Sequence, residues 1–251
     1  MSGVIRKLYN NLLGFRAMTQ MSDTDSQTNF ATSMPRWQVV LMLVGFPVLY
    51  LINSFLPWSK GLFGNKDHSY FLHFWISVAV LHWLSFLVAA ILIKRSGGAL
   101  SDITGFHFSP RKIAGILAVL LIISVSLIFV RQTWPPDRLP PGLAAWQAMF
   151  PATLIERSFW IFMCLTAGFC EEFVYRGFGI TVLRGKGLRL WQAVILATLS
   201  FIFVHGLGGL FAFPFFFLSG LLFSAIYLWR KSLLPGILLH VIMDFGALLA
   251  I

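Results

Sequence analysis

Charge is scarce in this chain. Asp, Glu, Lys and Arg together make up 11% of its 251 residues, against about 25% in an ordinary soluble domain. A soluble globular fold is excluded on that ground. Cysteine is scarce too. Cys164 and Cys170 lie six apart on one apolar segment and face different ways, so they read as buried thiols rather than a bridge or a metal finger. No His-Glu-x-x-His segment is present, so the helical zinc-protease arrangement is absent. No internal repeat is visible, and no alternating apolar pattern that would suit barrel strands. The first 36 residues lack an apolar signal core and read as a polar, mobile tail.

What fills the sequence instead is apolar: 58% hydrophobic residues, with 26 Phe and nine Trp. Long apolar runs fall at 37–56, 70–93, 113–130, 158–178, 190–205, 211–229 and 233–251. Each is about the length that crosses a bilayer as a helix. The fold class expected is therefore all-α, a multi-pass transmembrane helical bundle of about seven helices. Residues 1–36 form the tail, 37–130 an N-terminal three-helix region, and 131–157 an external Pro-rich loop. The stretch "LAAWQAMFP" in that loop suits an interfacial helix, and 158–251 form a C-terminal four-helix region.

The net charge of +10 is unevenly spread. With a cytoplasmic N-terminus and seven crossings, fourteen of the nineteen Lys and Arg residues fall on the cytoplasmic side. The basic excess is then topology and contact with anionic lipids, and nucleic acid is not expected as a partner. The expected setting is a bacterial inner or plasma membrane, with lipids as partners.

Six of the nine acids lie in the tail or loops; Glu171, Glu172 and Asp244 lie inside predicted spans. An acid at mid-membrane costs about 2.5–3.5 kcal/mol on insertion scales, and its default reading is a functional group facing the bundle interior. Glu172 and Arg176 are four apart, acid first, which suits an intrahelical ion pair. Glu171 points about 100° away and is left out of that pair. His205 follows Phe201 by four residues, and His240 precedes Asp244 by four. His73 and His82 read as packing residues. Acids and histidines on three of the last four helices supply a base, a second proton carrier and oxyanion donors, which amide hydrolysis needs. One tension remains: helix rise puts His205 about 22 Å and His240 about 10 Å from the cytoplasmic ends of their spans. They meet only if the fifth helix tilts or begins lower than drawn.

The segments Glu171-Glu172-x-x-x-Arg176, Phe201-x-x-x-His205 and His240-x-x-x-Asp244 resemble, in order and spacing, the motif set of the CAAX protease and bacteriocin-processing (Abi) family of intramembrane peptidases. That family includes the type II CAAX prenyl endopeptidases. The resemblance covers 158–251. It implies that Glu171 and His205 activate a water, that Glu172 held by Arg176 orients the site, and that His240 and Asp244 support the oxyanion. Asp244 stands where the motif carries Asn or Asp, and an aspartate donates only when protonated. The resemblance leaves metal use open; metal-free water activation is favoured, with zinc the alternative. A proton-coupled transporter using the same groups, with Pro214 and Pro235 breaking helices, and a non-enzymatic scaffold or immunity protein are the competing functions.

Overall fold

A computed structural model of the chain describes residues 25–64, 67–106 and 150–246. Among these residues every regular element is helical and no strand occurs. The main helices are α1 (Asp25–Ser33), α2 (Arg36–Asn53), α3 (His68–Arg95), α4 (Leu154–Glu171), α5 (Leu190–Phe203), α6 (Phe213–Arg230) and α7 (Leu234–Phe245). Helix α4 runs on without a break through π-helical Glu172–Gly179 and α-helical Ile180–Gly185. Six of the seven expected spans coincide with these helices. The span at 113–130, residues 131–149 of the Pro-rich loop and all but the last two residues of the interfacial segment at 143–151 lie outside the described residues.

By length and composition α2, α3 and α6 can each cross a bilayer, while α5 and α7 are apolar but shorter. The distribution of polarity carries the membrane assignment further. Ile76, Val80, Leu84, Leu87 and Ile91 of α3 and Leu218 and Leu222 of α6 face outward. Glu171, Glu172, Arg176, His82 and His240 are buried. A water-soluble fold would reverse this, since so broad an exposed apolar surface and so charged an interior both cost free energy in water. The chain is an integral, multi-pass helical membrane protein.

The two prolines that would break helices in a transporter do not. Pro214 and Pro235 sit in the first turns of α6 and α7, where the missing N–H costs nothing. Pro47 is different, because it lies inside α2. It cannot donate to the carbonyl four residues back, and the helix opens into a π turn at Leu41–Gly45. The freed carbonyl of Leu43 is taken by the buried Ser200 hydroxyl of α5 at 2.7 Å. A backbone defect in one helix thereby becomes a tie to another.

The tail expectation is corrected for residues 25–36. Helix α1 buries Phe30 and Ala31, with Met34 just beyond it, against the turns after α3 and after Gly185. Lys186 Nζ donates to the Thr32 carbonyl at 2.8 Å, and the Ser33 hydroxyl donates to the Ser96 carbonyl at 3.1 Å. Three apolar side chains amid polar ones were enough to dock a segment whose average composition is polar. The same end of the bundle carries the basic turns around Lys94, Arg184 and Lys231. Gly105, at φ +56°, lets the chain after α3 lie on the Lys231 backbone, and Leu233 N donates to the Thr104 carbonyl at 3.0 Å. At the opposite end a capping box opens α4. Thr153 accepts from Glu156 N, while Glu156 Oε2 accepts from the Ala152 and Thr153 amides and contacts His68 Nε2 at 2.9 Å.

Candidate active site

Helix α4 packs between α3 and α7, and its second half delivers both glutamates into the bundle. Glycine sets how close α7 comes. A side chain at Gly168 would meet Val241 at 2.6 Å, and one at Gly236 would meet Glu172 Oε2 at 3.0 Å. Small residues at this crossing therefore bring His240 onto the acids. From Glu172 the helix widens to π geometry, a local form often found at functional sites.

Five of the six residues singled out from the sequence share one cluster, and the sixth reaches it through a ring. Arg176 Nη1 lies 3.1 Å from Glu172 Oε1, both residues essentially fully buried. The contact is an ion pair without hydrogen-bond alignment, since neither Nη1 nor Nη2 has a hydrogen-bond partner among the described residues. The guanidinium lies over the Phe201 ring, 4.1 Å from its centroid, with Phe223 at 5.1 Å. His240 Nδ1 contacts the same Glu172 Oε1 at 3.1 Å and stacks on Phe223. His240 Nε2 stands 3.7 Å from both Glu171 Oε2 and Asp244 Oδ2. His205 follows the end of α5, and its Nδ1–H donates to the Phe201 carbonyl at 3.0 Å, which leaves Nε2 as the lone-pair nitrogen. The Phe201 ring touches Arg176, His205 and His240, so it joins the sixth residue to the rest. His205 and His240 lie on either side of the Phe201 ring, with helix α5 beginning at Leu190 as the sequence suggests. Helix α5 stops at Phe203, His205 lies in the turn that follows, and Gly206 at φ +58° turns the chain away.

Glu171 is not left unpaired, as its direction on the helix suggested. Its Oε1 meets His82 Nε2 at 2.7 Å, and its buried Oε2 has no hydrogen-bond partner among the described residues. His82 is thus a site residue that sequence reading placed in the packing. A signal was available. His82 shares the buried stripe of Phe71, Phe74, Val78, Ser85 and Ala89 along α3, whereas His73 lies off it and is exposed. Cys164 and Cys170 are buried and unbridged, as expected.

Among the described residues no group of three or more His, Cys, Asp and Glu could hold a metal ion. The closest donors face each other in direct contacts, Glu171 with His82 and Glu172 with His240, rather than a shared centre.

Fold and site define the class: a helical integral membrane protein with a buried acid–histidine–arginine cluster. The comparisons sharpen it. Residues 153–246, which hold every motif residue, match the family described as "Type II CAAX prenyl endopeptidase Rce1-like". A relative from Lactococcus lactis subsp. lactis (strain IL1403), named "UPF0177 protein YvdC", is 25% identical over 229 residues, covering 88% of this chain and 80% of its own length. No solved structure matches. The C-terminal region that carries the motifs is thus similar to the Rce1-like type II CAAX prenyl endopeptidases.

Proposed function

We propose that the chain is an intramembrane endopeptidase in which Glu171 is the base that activates water. The observation that carries this reading is the asymmetry of the Glu171 carboxylate. Oε1 is held at 2.7 Å by His82, while Oε2 is buried, without a hydrogen-bond partner among the described residues, and 3.7 Å from His240 Nε2. A gap of that size between polar atoms suits a bridging water or a reacting oxygen. With Nδ1–H held by the Phe201 carbonyl, neutral His205 carries its lone pair on Nε2, able to accept a proton, and so assists Glu171.

Glu172 is the fixed partner of the pair. Arg176 and His240 both converge on its Oε1, which holds the His240 ring and aims Nε2 toward the reacting centre. There His240, supported by Asp244, stabilises the developing oxyanion. The substrate is a peptide or protein segment that reaches the bundle from the membrane, of CAAX or peptide-processing type. Lipids are the surrounding partner.

The test compares peptide termini in membranes of cells carrying native protein or Glu171→Gln at matched abundance. Termini found only with the native protein are expected, and they identify a substrate. Identical termini from two folded, equally abundant proteins would move the reading to a non-enzymatic role.

A further inference from the structure

The His82–Glu171 contact carries an inference of its own, one that rests on the peptidase reading of Glu171. His82 Nδ1 lies 2.8 Å from the Val78 carbonyl, one helical turn back, and a carbonyl only accepts. Nδ1 therefore bears a hydrogen. At 2.7 Å, Nε2 and Glu171 Oε1 must then have one proton between them, on one atom or the other. Either the pair is imidazolium and carboxylate, or it is neutral imidazole and carboxylic acid. The second form puts the proton on the base and leaves Oε2 a weak acceptor.

The surroundings decide between the two. Tyr50 of α2 sets its ring edge-on to His82, 5.3 Å away. Cys170, Glu172, Tyr175 and Arg176 face the pair from α4 and its continuation, His205 from the turn after α5, and His240 and Asp244 from α7. Of these charges, Arg176 is compensated directly by Glu172, and His240 is divided between Glu172, Glu171 and Asp244. Among the described residues the acid in direct contact with His82 is Glu171, with Asp244 acting on it from farther away. We propose that His82 is the positioning residue of Glu171: it keeps the shared proton as an imidazolium on the Oε1 side, so that Oε2 rather than Oε1 takes the proton from water. In the attack, water gives its proton to Oε2 and its oxygen to the carbonyl carbon. When the C–N bond breaks, that proton passes from Oε2 to the leaving amine. His82 keeps its own proton throughout, so protons and charge balance without another reactant.

The test uses full-length protein in nanodiscs, read by infrared difference spectroscopy across pH, with Glu171→Gln assigning the Glu171 carboxyl band. In native protein the protonated-carboxyl band is expected to be absent at neutral pH and to grow in only on acidification. In His82→Gln, which keeps a donor but loses the charge, the band should grow in at a pH higher by about one unit or more, because an opposite charge favours the ionised form. A band present in native protein at neutral pH would overturn the proposal, and that reading needs no variant. So would an unmoved band in His82→Gln. Peptide termini separate this inference from the reading beneath it. If Glu171→Gln abolishes native-specific termini while His82→Gln leaves both yield and band unchanged, His82 is a packing residue and the peptidase reading stands. If the band moves but no terminus depends on Glu171, the ion pair stands and the peptidase reading falls.

Discussion

Arg176→Met removes one half of a buried ion pair, and its cost follows from what surrounds the guanidinium. Breaking such a pair leaves an uncompensated charge and typically costs about 3–5 kcal/mol. Two local features move the figure in opposite directions. His240 Nδ1 also reaches Glu172 Oε1, so the orphaned carboxylate keeps one partner, which argues for the lower end. The contacts with the Phe201 and Phe223 rings are lost as well, and a desolvated cation–π contact is worth up to about 2 kcal/mol. The expected net loss is about 3 kcal/mol. Glu172→Leu alone strands the Arg176 charge and costs about 3–5 kcal/mol. Both substitutions together lose the ring contacts, up to about 2 kcal/mol, and the His240 hydrogen bond, about 1 kcal/mol. A double-mutant cycle should therefore show coupling of at least about 2 kcal/mol. The assay is unfolding of purified protein in mixed micelles titrated with SDS, followed by tryptophan fluorescence. A loss under about 1 kcal/mol for Arg176→Met, or a double variant costing the full sum of the singles, would refute the reasoning.

Three further outcomes follow from the same geometry. Gly168→Val should wedge α7 from α4 through Val241, and the yield of any Glu171-dependent terminus should fall at least about a hundredfold as His240 leaves Glu171. Asp244→Asn should hold that yield within about tenfold, since an amide can still orient His240 across the 3.7 Å gap, whereas Asp244→Leu should lose far more. Thr153→Ala should remove the capping box of α4 and cost about 1 kcal/mol in the SDS titration, with terminus yield per folded molecule unchanged.

The helices were legible because apolar length is a local property: 70–93 and 211–229 were each found within a few residues of their expected ends. Glu172 and Arg176 were legible as a pair because an i, i+4 spacing defines neighbours on any helix. Other features depend on contacts between distant segments. The docking of α1 turns on Gly98 and Gly185 offering room for Phe30 and Ala31, and average composition hides it. His82 joins Glu171 across 89 positions of sequence, and only the packing of α3 on α4 decides that an apolar-helix histidine meets an acid rather than a backbone.

By itself, the sequence determined the class of solvent, the helical fold and the residue types of the site, because hydropathy, periodicity and motif spacing are carried by short stretches of chain. The tertiary structure alone decided which oxygen of Glu171 is held and which is free, and that one aromatic ring, Phe201, gathers Arg176, His205 and His240. Those facts depend on how helices far apart in the chain cross. The crossing is set by the glycines at 168 and 236 and by the tie between Leu43 and Ser200, whose effect no local pattern encodes.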